Sequence, residues 1–195
     1  MNLDILEEVR KKALENHIPI IMDDTLEVIK EYLKKEKPKK ILEIGTAVGY
    51  SATQFVRFSG NDVKVDTIEL DEQRALEAIQ NLKEIGIADS VNVIIGNAVE
   101  VLTTLNDKYD IIFIDANKGK YPIFLKEAIR LSHKGTIIFA DNILYKGYVL
   151  SDYNKHKQRT AVRHLREYIA DSMENENLET QILTVGDGLA ISKVK

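Results

Sequence analysis

Glu43-Ile44-Gly45-Thr46-Ala47-Val48-Gly49-Tyr50-Ser51 closes a short apolar run that begins at Ile41. The run reads as a buried strand ending in a glycine turn. Gly45 and Gly49 lack a Cβ, so the backbone there can turn tightly and approach a ligand. Their G-x-x-x-G spacing is not the G-x-G-x-x-G of dinucleotide proteins, and no G-K-[ST] follows as in a phosphate-binding loop. A nicotinamide or nucleoside-triphosphate ligand is thereby disfavoured.

The same pattern repeats outward from this stretch. Val63–Leu70 alternates, and Val91–Gly96, Ile111–Asp115 and Thr136–Asp141 are short apolar runs ending on Gly or Asp. The first four runs each precede a segment with helical spacing, such as Gln73–Ile85, read with Leu76, Ile79, Leu82 and Ile85 on one face. A second is Tyr121–Leu131, with Phe124, Leu125, Ala128 and Leu131. Strand–helix alternation predicts a parallel sheet covered on both faces. At the C-terminus, Thr180–Val185 and Leu189–Val194 flank Gly186-Asp187-Gly188, a hairpin signal that adds an antiparallel pair. Ahead of the first strand, Leu3–Asn16 and Thr25–Lys37 read as helices separated at Pro19. The expectation is one domain over 1–195, with 1–40 as a helical cap and 41–195 as the α/β core.

Composition narrows the chemistry. The chain has 195 residues, 44% of them hydrophobic, which suffices for a core. It has no Cys, which excludes disulfides, thiolate metal sites and a thiol nucleophile. No apolar run reaches the ~18 residues a membrane span needs, and the acidic start, Met1–Glu8, lacks the features of a signal peptide. A cytoplasmic protein is expected.

In open α/β sheets, ligands gather at the carboxyl ends of the strands. Glu69 ends the second strand about 20 residues beyond the glycines, where an acidic side chain can accept hydrogen bonds from ribose hydroxyls. Asp71 is the better cap for the helix that follows. Gly96-Asn97-Ala98 ends the third strand, where backbone groups can meet an adenine. Asp115 ends the fourth strand and Asp141-Asn142 the fifth. Two carboxylates and an amide carbonyl suit Mg²⁺ or Mn²⁺. Spacing alone leaves open whether these residues bind a metal or cap helices. Lys118, three residues after Asp115, is a candidate proton acceptor or an ordinary loop lysine.

The ordered set E-I-G-T-x-x-G-Y-S, I-E-L-D, G-N-A, D-A-N-K and A-D-N resembles the class I S-adenosylmethionine-dependent O-methyltransferases. More narrowly, it resembles their cation-dependent catechol and caffeoyl-CoA branch. The resemblance implies a Rossmann-like seven-stranded methyltransferase sheet with helices on both faces and the C-terminal hairpin antiparallel. It implies that Glu43, Gly45, Gly49 and Ser51 surround the cofactor's methionine and that Met22 and Thr46 also bind the cofactor. Glu69 would hold the ribose, Ala98 would lie at the adenine, and Asp115 would contribute to the same site. Asp115, Asp141 and Asn142 match the family's metal ligands and Lys118 its catalytic lysine. A homodimer is implied by resemblance as well.

The acceptor must carry a hydroxyl beside a second oxygen donor, as catechols and 5-hydroxyuridine do. Charge is uneven along the chain. Residues 41–145 carry ten basic and fifteen acidic side chains, whereas 146–166 carry six Lys or Arg against Asp152 alone. Lys146, Arg159, Arg163, Tyr145, Tyr148 and Tyr153 in or beside that stretch suit phosphate contact and base stacking. Composition by itself favours the plainer alternative, an amphipathic helix over Thr160–Ile169 with a solvated basic face. The opening Glu15-Asn16-His17-Ile18-Pro19-Ile20-Ile21-Met22, taken with Pro38-Lys39-Lys40 and the glycine turn, resembles the bacterial tRNA 5-hydroxyuridine methyltransferases. That likeness implies tRNA as substrate, with 5-methoxyuridine formed at the wobble position of the anticodon. A small catechol or phenolic acceptor is the alternative, and a noncatalytic RNA-binding protein of the same fold is a third.

Overall fold

A computed structural model describes residues 1–60, 62–152 and 158–195. Tyr153, Lys155, His156 and Lys157 of the basic stretch lie outside the described residues. The chain divides into two compact units, Met1–Val101 and Leu102–Lys195.

The first unit opens with α1 (Leu3–Glu15) and α2 (Asp23–Glu36). Asn2 caps α1 by accepting the Asp4 and Ile5 N–H groups, and Pro19 lies in the break between the helices. Arg10 of α1 meets Asp23 of α2 at 2.8 Å. Both helices pack on α3 (Tyr50–Ser59), and α1 also packs on α4 (Glu72–Ile85). The strands are β1 (Lys40–Ile44), β2 (Lys64–Glu69) and β3 (Val91–Ile95), parallel and ordered β3-β2-β1. Asp71 caps α4 through the Arg74 N–H, as its sequence position predicts.

The buried face of α4 differs from the expected one. Ala75, Ala78, Leu82 and Ile85 are buried, whereas Leu76 and Ile79 are 49% and 41% exposed. Small alanines let the helix sit close to the glycine turn: a Cβ on Gly49 would lie 3.4 Å from Leu82 and 3.5 Å from Ala78. Close approach, rather than side-chain size, selects the inward face.

The second unit contains β4 (Tyr109–Ile114), α6 (Tyr121–Arg130), β5 (Ser132–Ala140), α7 (Arg159–Glu174), β6 (Leu178–Leu183) and β7 (Leu189–Val194). Helix α5 (Ala98–Thr104) spans the division between the units. The order is β4-β5-β7-β6, with β7 antiparallel to both neighbours. The strand set is that of the expected seven-stranded mixed α/β sheet. As predicted, Phe124, Leu125, Ala128 and Leu131 are buried. Gly188 in the hairpin turn has φ +89°, and a Cβ there would come within 2.3 Å of Leu144, so only glycine fits.

Two elements outrun their apolar signal. Helix α7 continues to Glu174 because Tyr168 and the small polar Ser172 extend its buried stripe. Strand β5 starts four residues early, at Ser132, with the His133 N–H donating to Thr136 Oγ1. Among the described residues, no helix is long and apolar enough to cross a membrane.

His133 gives the fold a pH-dependent contact. Its Nδ1 lies 2.9 Å from the Lys134 carbonyl and its Nε2 lies 3.0 Å from Asp110 Oδ1. The Lys134 carbonyl raises the His133 pKa most, burial opposes it, and the Asp110 carboxylate raises it further, for a net upward shift. A raised folded-state pKa stabilises fully below the ordinary histidine value and loses that stabilisation as pH climbs through the folded value. The side chain is 45% exposed, so screening keeps the contribution to about 0.2–1 kcal/mol. Between about pH 5.5 and pH 8, thermal unfolding of the wild type should lose this increment relative to His133→Gln. Parallel curves for the two proteins would contradict the assignment.

Candidate functional site

Two constellations of polar side chains stand at strand ends, one in each unit. In the first, parallel pairing sets Glu43 of β1 opposite Thr67 of β2. Thr67 Oγ1 donates to Glu43 Oε2 at 2.6 Å, and the Ser51 hydroxyl donates to Glu43 Oε1. The Thr46 and Thr67 hydroxyls are 2.7 Å apart. Glu43 is completely buried, so these donors replace the water its carboxylate has lost.

The turn beyond Glu43 is left-handed at three points. Gly45, Ala47 and Gly49 have φ of 110°, 48° and 80°. The Gly45 N–H donates to the Ile68 carbonyl, and Asn81 Nδ2 donates to the Val48 carbonyl at 3.0 Å. Glu69 closes the turn from β2: its Oε2 accepts the Ala47 N–H at 2.9 Å and its Oε1 the Asp71 N–H at 3.0 Å. Each carboxylate oxygen can accept a second bond, so Glu69 can still take hydroxyl donors. The Gly96 N–H is bonded to the Glu69 carbonyl, which brings the end of β3 beside it. Asn97 caps the start of α5 through the Val99 N–H, and Ala98 is half-buried there. Met22 stands at the start of α2 and is exposed. The candidate cofactor residues of this unit thus gather on the β1, β2 and β3 ends, with Met22 at the helix start.

The second constellation stands on β4 and β5, whose register sets Ile114 beside Ala140. The next residues, Asp115 and Asp141, are therefore neighbours. Lys118 Nζ lies 3.2 Å from Asp115 Oδ1 and 2.9 Å from Asn142 Oδ1. Asp141 is 1% exposed and accepts the Asn142 N–H at 2.8 Å. Burial first, then the nearby Asp115, pushes the Asp141 carboxyl up to about 7. Two carboxylates this close, one of them buried, favour a proton or a cation between them. Among the described residues, no group of three or more His, Cys, Asp or Glu is placed to hold a metal. The donor set here depends on the Asn142 carbonyl as its third member. All three donors are hard oxygens, and Asp115 and Asn142 already converge on the Lys118 cation. They fit a divalent ion that favours oxygen ligands.

The basic stretch is divided in its use. Arg159, Arg163 and Lys146 are exposed, as phosphate contact requires. Arg166 is exposed too, but its guanidinium donates to the Tyr148, Val149 and Ser151 carbonyls. It remains exposed while it makes these bonds. Tyr145 and Tyr148 pack edge to face, with ring centroids 5.8 Å apart. Neither Asp115 nor Asp141 caps a following helix: Asn117 caps the turn at Lys118–Lys120, and Lys120 precedes α6.

Sequence reading missed several supports. Thr67 was legible from the alternation in Val63–Leu70, which turns it to the same face as Val65. Tyr121 is fully buried and donates to the Asp141 carbonyl at 2.8 Å, steadying the second constellation. Burial raises its pKa well above the ordinary tyrosine value, so it stays a neutral donor. No local signal marks His164, which meets the Gly119 carbonyl across 45 residues.

Residues 2–195 match the model of the O-methyltransferase family. A Niastella koreensis protein named catechol O-methyltransferase is 34% identical over 166 residues, covering 80% of this chain and 74% of its own. A Mycobacterium tuberculosis protein of the same name is 34% identical over 163 residues, covering 80% and 72%. A Bacillus cereus O-methyltransferase, crystallised with S-adenosylhomocysteine (SAH), superposes with a TM-score of 0.88 at 27% identity, covering 98% of this chain and 91% of its own. A Staphylococcus aureus structure, provisionally named caffeoyl-CoA O-methyltransferase, gives 0.91 at 36%, covering 97% and 92%.

The first constellation makes a stability prediction. Thr67→Val keeps the side-chain shape but removes a hydroxyl from the buried Glu43 carboxylate. It should cost about 1–3 kcal/mol in denaturant unfolding, whereas Thr67→Ser, which keeps the hydroxyl, should recover most of that loss. Equal stability of Thr67→Val and wild type would show that the bond contributes nothing.

Proposed function

Because the chain belongs to the O-methyltransferase family, as a S-adenosylmethionine-dependent enzyme of the catechol and caffeoyl-CoA type, we propose that it methylates a hydroxyl lying beside a second oxygen donor, and that this hydroxyl belongs to 5-hydroxyuridine at the anticodon wobble position of tRNA. Family membership sets aside the noncatalytic alternative. The observation that carries the acceptor class is the convergence of Asp115 and Asn142 on Lys118, next to buried Asp141.

The roles follow from the chain's own groups. S-adenosylmethionine supplies the methyl group. Glu43, fixed by Ser51 and Thr67, presents a buried negative charge to the cationic methionine part of the cofactor. Gly45, Thr46 and Gly49 let the backbone lie close to it, and Met22 contributes an apolar side chain. Glu69 accepts the ribose hydroxyls, Ala98 lies at the adenine, and Asp115 borders the same cofactor. Asp115, Asp141 and Asn142 would hold Mg²⁺ or Mn²⁺, which supplies charge that favours an ionised hydroxyl. As the neutral amine, Lys118 Nζ takes the proton from the acceptor hydroxyl; that oxygen then bonds the methyl carbon as the bond from carbon to the sulfonium sulfur breaks, leaving S-adenosylhomocysteine. The protein's main contribution is alignment and exclusion of water.

Support for tRNA is the resemblance of Glu15–Met22 and the glycine turn, together with the exposed cations Lys146, Arg159 and Arg163. An anticodon base is already unpaired and enters a pocket at modest cost. A small catechol is the second candidate, favoured by the two bacterial relatives of that name. On the same reading, residues 1–195 are one catalytic domain acting in the cytoplasm as a homodimer.

The test offers labelled S-adenosylmethionine and Mg²⁺ with tRNA containing 5-hydroxyuridine, or with catechol. Label should enter the tRNA at that base. Lys118→Ala should cut turnover about a hundredfold or more while calorimetric affinity for S-adenosylmethionine stays near wild type. Transfer to catechol alone would replace the tRNA assignment, and full turnover by Lys118→Ala would remove the lysine from the mechanism.

A further inference from the structure

Helix α7 reaches the turn that carries Lys118 through His164. The ring's Nδ1 lies 2.6 Å from the Gly119 carbonyl oxygen, and its Nε2 lies 2.8 Å from Arg163 Nη2. A carbonyl only accepts and a guanidinium only donates. Both contacts are satisfied when the proton sits on Nδ1 and the lone pair on Nε2 faces the arginine. Arg163 therefore selects the tautomer that can hold Gly119.

Gly119 is gripped from both sides. Its N–H donates to Asn117 Oδ1 at 2.9 Å from within the loop, and its carbonyl is held by His164 from α7. A Cβ on this residue would stand 3.1 Å from Asn117 Oδ1 and 3.9 Å from His164 Nδ1, so the grip is close. Farther along the turn, the Lys120 N–H bonds to the Asn117 carbonyl at 2.9 Å. The Tyr121 ring, anchored below on the Asp141 carbonyl, meets Tyr168 of α7 edge-on at 5.6 Å. The peptide that leaves Lys118 is held by Asn117, and the next one, between Gly119 and Lys120, by His164 and the Asn117 carbonyl, so neither can rotate without losing a bond. Its orientation sets where Lys118 Nζ stands between Asp115 and Asn142.

We propose that His164 is a positioning residue for Lys118: its Nδ1–H fixes the Gly119 carbonyl, and through it the lysine that meets the acceptor hydroxyl. The proposal rests on Lys118 being the proton acceptor. It also gives Arg163 a task beyond any phosphate contact, that of orienting the imidazole. A histidine that merely joined α7 to the loop would affect stability, whereas a positioning histidine affects the chemical step and acts only through Lys118.

The experiment measures kcat, KM, calorimetric affinity for S-adenosylmethionine and the unfolding midpoint, using whichever of 5-hydroxyuridine tRNA or catechol accepts label. His164→Leu should lower kcat about ten- to a hundredfold, leaving KM and cofactor affinity within about twofold. His164→Asn, whose amide N–H stands where Nδ1–H stood, should recover most of the loss. His164→Asp has the same shape with no donor and should fall with the leucine variant; it serves should the leucine variant not fold. In a Lys118→Ala background, His164→Leu should add no further loss. Unchanged kcat in His164→Leu, failure of His164→Asn to recover it, or a loss that multiplies with Lys118→Ala would each overturn the proposal. Full turnover by Lys118→Ala alone would instead overturn the premise, which separates the two failures.

Discussion

Asp141 is buried beside Asp115 because β4 and β5 run parallel in register, and the residue after each strand cannot avoid its neighbour. Charge of one sign concentrated in a poorly hydrated place is costly unless something compensates it. The second unit answers with Lys118, aimed at Asp115 and Asn142, with the Asn142 N–H on the Asp141 carboxylate, and with Tyr121 holding the Asp141 carbonyl from below. The 118–120 turn, the start of α6 and the face of α7 that meets them all serve this one electrostatic demand. The same demand makes the place chemically useful, since it favours cations and moves protons.

The first unit meets a parallel problem with a different device. Glu43 is a completely buried carboxylate held by hydroxyl donors from Ser51 and Thr67. Glu69 sits nearer to water and uses its oxygens to brace the turn through the Ala47 and Asp71 N–H groups. One acid thus supplies a buried negative charge and the other a hydrogen-bonding rim. The left-handed residues between them keep side chains out of the way, and the small alanines of α4 let that helix close behind Gly49.

Much of this was legible along the chain. Strand ends announced themselves through Gly and Asp after apolar runs, and Gly186-Asp187-Gly188 marked the hairpin that puts β7 between β5 and β6. The acidic and amide residues at those ends could be named because parallel strands share an end. What escaped reading depended on neighbours distant in sequence. The inward face of α4 was mistaken because alanine packing against a glycine turn outweighed larger apolar residues. Arg166 is exposed on the basic helix, yet it also binds three backbone carbonyls of the 148–151 turn, contacts no local pattern shows. His164 carried no signal, since its partner is a carbonyl brought near only by folding.

On the proposed reading, the Asp115, Asp141 and Asn142 oxygens form a cation site beside Lys118. Water-proton relaxation of Mn²⁺ titrated into the purified protein tests it without reference to any acceptor. The wild type should show one saturable site. Binding should weaken severely in Asp141→Asn, which keeps the shape but loses the charge, and persist in Lys118→Ala, which removes a competing cation. No saturable binding by the wild type, or equal binding by the wild type and Asp141→Asn, would contradict it.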